Sequence, residues 1–285
     1  MMKYINDIRQ LKDYLFYVMV IMCSIMAFIP LFHMIISVLI IGGKIVIETG
    51  WSFFTDIPPS PISNTIGGIA PAFIGTLILM ILSTIIALPI AFFASVLAVE
   101  YPHNMISKIV KSLVNSLTEI PTILVGILIY TVVVIPMGRF SAIAGALALA
   151  IVSLPYIYTY IENSLSTIPF TYREAAYSLG MCKAVALFKV FIGIARRGIL
   201  TGILMGLAKA SGETAPLLFT AGASRHIIFN GIDQPVDAIP LLIYHFILTP
   251  YDNYHKVAWG AAFVLLVIFL SIFTITRLAV KKVVM

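Results

Sequence analysis

The sequence predicts an all-α, polytopic membrane protein with six transmembrane helices, and three observations carry that prediction. The first is composition: of 285 residues, 61% are hydrophobic and only 11% charged, against roughly a quarter charged in ordinary globular domains. The second is length, since six apolar runs approach or exceed the roughly 20 residues a helix needs to cross a hydrocarbon layer about 30 Å thick. The third is the placement of cations, which concentrate on one side of those runs. Backbone polar groups find no water in lipid, so the runs are helices; a barrel would show strands of about ten residues with alternating polarity.

Residues 15–41 form the first run. It is longer than the apolar core of a cleavable leader and no small-residue cleavage site follows it, so it reads as a retained helix. Residues 42–70 hold Gly42, Gly43, Gly50, Pro58, Pro59, Pro61, Gly67 and Gly68, a turn-rich connecting loop. The second run covers 71–99, the third 120–137 and the fourth 140–161. Pro30, Pro89 and Pro155 fall inside runs, where membrane helices tolerate them either as kinks or as hinges. The fifth run, 198–221, is the only one with charges in its core, Lys209 and Glu213; the sixth covers 257–276. Between the last two, AIPLLIYHFIL at 238–248 has half the spanning length, which predicts either a short interfacial or re-entrant helix or a helix packed on the bundle. The whole chain, 1–285, reads as a single transmembrane domain with one sizeable cytoplasmic loop at about 162–197.

Of the eighteen Lys and Arg, thirteen lie in the amino terminus, the second and fourth connections and the carboxyl tail: Lys3, Arg9, Lys12, Lys108, Lys111, Arg173, Lys183, Lys189, Arg196, Arg197, Arg277, Lys281 and Lys282. Four lie in the other connections, Lys44, Arg139, Arg225 and Lys256. This bias predicts a multi-pass protein of the cell membrane with both termini cytoplasmic. The cations flank spans rather than forming one patch, so membrane lipid and not nucleic acid is the expected polyanion.

Several function classes lack their chemistry. The five histidines show no HExxH or Cys/His metal spacing, and no G-x-x-x-x-G-K-[ST] is present to cradle ATP phosphates. No span carries paired carboxylates or a nucleophile beside a base, so the chain is not expected to be an enzyme, to bind a metal or to hold a cofactor. Cys23 falls inside the first run and Cys182 in a cytoplasmic connection, which argues against a disulfide.

The connection after the fourth run contains TYREAAYSLG, residues 171–180. Thr171 and Glu174 have capping-box spacing, and Gly180 supplies a helix stop. A helix of about two turns is too short to stand alone in water. It docks either on the bundle or on another protein, for which Ala175 and Ala176 offer a shallow surface and Tyr172 and Tyr177 aromatic anchors.

EAAYSLGMCKAVALFKVFI, residues 174–192, resembles the EAA loop of ABC importer permeases: EAA, three residues, Gly, nine residues, then Ile-x-Leu-Pro. Gly193 stands where that loop closes with proline. GGIAPAFIGTL (67–77), LPIAFFASVLAVEY (88–101), EIPTILVG (119–126) and GILTGILMGLAKASGETAPLLFTAG (198–222) are similar to the phosphate-specific permeases of PstA type, from about residue 38 to about residue 278. Two departures are Glu119, where glycine is usual before Ile-Pro, and Lys209, where arginine is common. Lysine keeps the charge but not the planar fork that binds oxyanions at two points. The resemblance implies a type I ABC importer permease fold. It also implies a coupling helix at Thr171, Tyr172, Arg173, Glu174, Ala175, Ala176 and Gly180 that sits in a groove of an ATPase subunit. The implied partners are a homologous permease subunit of PstC type, two ATP-binding cassette subunits that bind the ATP and Mg, and an external phosphate-binding protein.

Lys209 is expected near the middle of the fifth helix, where a lone charge costs from about 3 to more than 10 kcal/mol depending on the method. Glu213 follows four residues later on the same face and can partner it. Gly212 and Pro216 weaken the helix there. Two readings stand for Lys209, Glu213 and Thr214: an ion pair that fixes helix packing, or a face on the path of a passing phosphate. Arg139 marks an outer interface or attracts anions, and Glu100, Glu119 and Glu162, at helix ends, are assigned no chemistry. Functional alternatives to phosphate import are a permease for another oxyanion (molybdate, tungstate or sulfate), an intramembrane enzyme and a membrane signalling scaffold.

Overall fold

The computed structural model of the chain describes residues 2–63 and 65–281, with side chains described over 12–63, 65–275 and 277–278. The side chains of Lys3, Arg9 and Lys281 and the whole of Lys282, counted above in the charge bias, lie outside that set. Every regular element among the described residues is helical. In chain order they are α1 (Lys12–Thr49 as its apolar stretch), α2 (Ser52–Thr55), α3 (Ala70–Glu100), α4 (Met105–Leu117), α5 (Thr122–Met137) and α6 (Ala142–Ser166). They continue with α7 (Phe170–Ser178), α8 (Lys183–Ser211), α9 (Ala215–Leu218), α10 (Ile239–Ile247) and α11 (Asp252–Lys281). Five helices, α1, α3, α6, α8 and α11, are long and apolar enough to cross a membrane, and α4 with α5 passes the same test only as a pair bent by 105°, the geometry of a broken span or a re-entrant loop.

Three boundaries differ from the sequence expectation, each for a local reason. The loop expected to start at 42 starts after Thr49, because Gly42 and Gly43 remain helical. Gly42 is pressed onto α11: a Cβ there would lie 2.3 Å from the Trp259 carbonyl oxygen. α4 and α5 meet at a bend of 105° around residues 118–121, where Pro121 removes a helical N–H. The fifth span starts earlier and ends earlier than 198–221. It runs from Lys183 with a π-helical turn at Leu187–Phe191, and stops at Ser211. Gly193 lies inside this helix, where a proline would remove a main-chain N–H.

At the centre, α6 packs against α3 on one side and α8 on the other. Of its apolar stretch 72% is buried, against 33% for α3 and none for α1. Small residues make this possible. Gly198, Gly202 and Gly206 of α8 ride against Ser164, Tyr160 and Ile157 of the antiparallel α6, and Ala142, Ala144, Ala146 and Ala148 of α6 are fully buried. Lipid gives helices no hydrophobic drive to associate, so close backbone approach through small side chains supplies the packing energy. Pro30, Pro89 and Pro155 sit within continuous helices.

Of the two readings of 238–248, the structure shows a packed helix. Ile239, Pro240, Leu241, Leu242 and Phe246 of α10 are buried, and Phe246 stacks on Tyr254 of α11 with ring centres 4.1 Å apart. Its first amides are met from outside: Thr76 Oγ1 of α3 accepts from Ile239 N–H at 2.8 Å, and Asp237 Oδ1 accepts from Ala238 N–H at 2.9 Å.

Candidate functional site

Two groups of predicted site residues lie at different levels of the bundle. The first is α7, at the end that also carries Lys108, Lys111 and Lys183. Its start is not the predicted capping box. Pro169, with extended ψ, precedes the first helical residue Phe170, and no side chain caps the helix. Thr171 is already one residue inside, where helical dihedrals prevent it from acting as a cap. The stop is as predicted. Gly180 has φ +80, its N–H donates to the Tyr177 carbonyl, and Met181 N–H donates to the Ala176 carbonyl. These two bonds are a Schellman motif, which favours glycine at the left-handed position. The connection between long helices is therefore 167–182, shorter than the expected 162–197.

The predicted residues of α7 separate into two faces. Phe170 (68% exposed), Tyr172, Glu174, Ala175 and Tyr177 face out, together with Leu179 just beyond the helix at 77%. Ala176 is buried, packed in the cluster that contains Ile168, Ala186 and Phe191, so the shallow surface expected from Ala175 and Ala176 is Ala175 alone. Arg173 also points inward. Its Nη1 donates to Glu100 Oε1 at 2.5 Å, its Nη2 donates to the Leu165 carbonyl at 3.2 Å, and its guanidinium lies 4.9 Å from the centre of the Phe191 ring. A second pair, Lys111 to Glu162 at 2.6 Å, ties α4 to α6. Both pairs line a cleft of about 800 Å³ between α7 and the ends of α3, α4 and α6.

Glu100 and Glu162, which the sequence reading left without a role, are thus the ion-pair partners of Arg173 and Lys111. Glu100 did carry a signal. A carboxylate at the last residue of a 31-residue apolar helix faces the negative end of the helix dipole and needs a cation beside it.

The second group surrounds Lys209. It lies in the last turn of α8, not in the middle of a longer helix, yet α8 passes beside α6 so that Lys209 is level with Tyr156, midway along α6. Glu213 lies beyond the helix end, in the break 212–214 that Gly212 and the approach to Pro216 create, and still meets Lys209 Nζ at 2.5 Å. The Lys209 ammonium is also 5.4 Å from the centre of the Tyr156 ring. Lys209 lines a small cavity of about 90 Å³ with Thr118, Ile120 and Thr122 from the α4–α5 bend and Tyr156 from α6. Thr214 contributes main chain, its carbonyl accepting from Leu217 and Leu218 N–H to start α9. Gly126 of α5 admits α9 to contact: a Cβ there would lie 2.8 Å from Pro216 Cα.

At the opposite end, Arg139 pairs with Asp233 at 2.7 Å, both side chains about half exposed. Asp237 there is fully buried, and its Oδ2 has no hydrogen-bond partner among the described residues. Burial pushes its carboxyl up to about 6, against the Ala238 N–H bond and the charge of Arg225, which lower it.

The bundle, with a short helix at one end and a half-buried cation beside a bent helix pair, has the fold of ABC transporter membrane subunits. Two solved structures share the fold: the MetNI methionine ABC transporter in inward-facing conformations, with TM-score 0.59 and 18% identity over 75% of this chain and 94% of that one. An amino acid ABC transporter crystallised with histidines gives TM-score 0.51 and 21% identity over 73% of this chain and 90% of that one. No family model matches the sequence. Among curated proteins, the probable phosphate transport system permease protein PstA of Methanocaldococcus jannaschii is 46% identical over 276 residues, 97% of this chain and 96% of that protein. The phosphate transport system permease protein PstA of Xylella fastidiosa strain 9a5c is 39% identical over 225 residues, 78% of this chain and 77% of that protein. The chain belongs to the PstA family of phosphate transport system permeases.

Proposed function

We propose that this chain is a transmembrane permease subunit of an ATP-driven inorganic phosphate importer and forms part of the translocation pathway by alternating access. The observation that carries the reading is the 46% identity, spread over nearly the whole chain, to a protein named as a phosphate transport permease. The same names favour phosphate over molybdate, tungstate or sulfate. The chain is a multi-pass membrane protein, and we infer that the α7 end is cytoplasmic, supported by the cations gathered there.

Membership of an ABC system implies partners of that kind. We infer them to be a homologous permease subunit, two ATP-binding cassette subunits and an external phosphate-binding protein, with ATP and Mg held by the cassette subunits and none by this chain. The exposed side of α7, with Thr171, Tyr172, Glu174 and Ala175, suits the groove of a cassette subunit. Arg173 and Ala176 hold the helix from within, and Gly180 ends it. A single transmembrane domain, 1–285, with no catalytic chemistry of its own, completes the reading.

Lys209, Glu213 and the break at Thr214 suit the pathway. The pair leaves no charge stranded in a low-dielectric span while the site is empty. Lysine has three donors and Glu213 takes one of them, so an arriving phosphate has N–H groups to meet at the small cavity that Lys209 lines. The test is reconstitution of the complete complex in liposomes with competing phosphate, arsenate, sulfate and molybdate. ATP-dependent uptake of phosphate in excess over sulfate and molybdate supports the reading; preference for molybdate or sulfate refutes it.

A further inference from the structure

We propose that Arg173 is the positioning residue through which α7 and the spans move as one body, a role distinct from contact with an ATPase. This rests on the reading of α7 as the coupling helix. A helix of nine residues has little stability alone, so force applied to its outer face is transmitted only as far as its inner face is held. One side chain supplies most of the polar part of that hold. From α7, Arg173 reaches the carboxylate that ends α3 (Glu100), the last turn of α6 (Leu165 carbonyl) and the π-helical turn of α8 (Phe191). Those three helices form the packed centre of the bundle.

The environment suits a rigid joint rather than a surface ion pair. The side chains of Arg173 and Glu100 are 12% and 5% exposed, and Phe191 is fully buried. Ala176, one turn along α7, adds apolar contact on the same side. A planar guanidinium can bond a carboxylate and a carbonyl at once while its face lies on a ring. Lysine has three donors but lacks the planar fork that meets carboxylate and carbonyl from separate nitrogens with its face on the ring. Neighbouring charges are already engaged: Lys111 with Glu162 at 2.6 Å, and Lys183 over the Tyr101 ring at 4.5 Å. Neither is placed to take over Glu100 without leaving its own partner.

The consequence is a specific failure. Without the joint, the outer face of α7 still meets its partner, but its displacement is absorbed by local tilting instead of reaching α3, α6 and α8. The test measures ATP hydrolysis and phosphate uptake in the same liposomes containing the complete complex. The double variant Arg173→Met with Glu100→Gln removes the joint and leaves no stranded charge; Arg173→Lys keeps the charge and loses the fork. Uptake per ATP is expected to fall at least about fivefold in the double variant and about two- to threefold in Arg173→Lys, with hydrolysis falling much less. A ratio equal to that of the unaltered complex in both variants overturns the proposal. If the double variant fails to assemble, Arg173→Lys decides by the same criterion. A cysteine at Ala175, cross-linked to the ATPase in the unaltered complex, separates the two levels: absence of that cross-link fails the coupling-helix reading, whereas its presence with an unchanged ratio fails only the joint.

Discussion

Two ion pairs at different heights of this bundle use the same chemistry for opposite ends. Arg173–Glu100 joins residues 73 apart in sequence and is nearly closed to solvent, with side chains 12% and 5% exposed. Lys209–Glu213 joins residues four apart across a helix break, and Lys209 is 32% exposed toward a cavity. A guanidinium held on three helices resists change. An ammonium with donors to spare, next to a backbone already interrupted by Gly212 and Pro216, admits it. On the readings proposed above, the first acts as a joint and the second as a site.

The largest effect that sharpens this contrast comes from stranding Glu100. Arg173→Met alone is expected to destabilise the α7 end by about 3 to 5 kcal/mol, the usual cost of an uncompensated buried charge. Adding Glu100→Gln is expected to recover at least half of that, read from the Tm of the solubilised protein. Equal Tm values for the single and double variants would contradict the burial of the pair.

Asp237 is the control, a buried carboxylate with no ion pair among the described residues. Its folded-state value of about 6 lies above its ordinary 3.8, so the folded state holds the proton longer than the unfolded chain does. Stability therefore falls as pH rises from about 4 to about 6 and levels off above, by on the order of 3 kcal/mol in total. Asp237→Asn is expected to flatten that slope. An unchanged pH dependence of Tm would place the titration elsewhere.

At the site, Lys209→Ala and Glu213→Gln are each expected to lower phosphate uptake about tenfold at normal protein levels, a difference near 1.4 kcal/mol. Full uptake with both variants would reduce the pair to a packing device and dissolve its contrast with Arg173. The smallest effect is expected at Gly180, where φ is +80: Gly180→Ala strains the end of α7 by about 1 kcal/mol. Limited proteolysis of the 167–182 connection measures this as faster cleavage.

What could be read from sequence followed the range of the interaction. Composition and run length gave the helical class and the approximate spans, because burial in lipid depends on each run alone. Lys209 and Glu213 were legible as partners because four residues separate them, although the helix expected to join them ends at Ser211. The capping box misled: Thr171 and Glu174 have the right spacing, but Pro169 sets the start of α7, and a spacing motif cannot tell a cap from a first turn. The Arg173–Glu100 joint was hidden because its partners come from helices distant along the chain. Only the misplaced carboxylate at the end of α3 hinted that a cation had to be near. The inward turn of Ala176 was likewise out of reach, since it depends on which side of α7 the bundle lies.

The central claim is that the outer face of α7 meets an ATPase subunit on the cytoplasmic side. It is tested most directly by one cysteine at Ala175, with Cys23 and Cys182 replaced by serine, in membranes containing the complete complex. The account predicts labelling by a membrane-impermeant thiol reagent only from the cytoplasmic side, and a cross-link to the ATPase subunit that blocks labelling. Labelling from the outside, or a cysteine that never cross-links to that subunit, would contradict it.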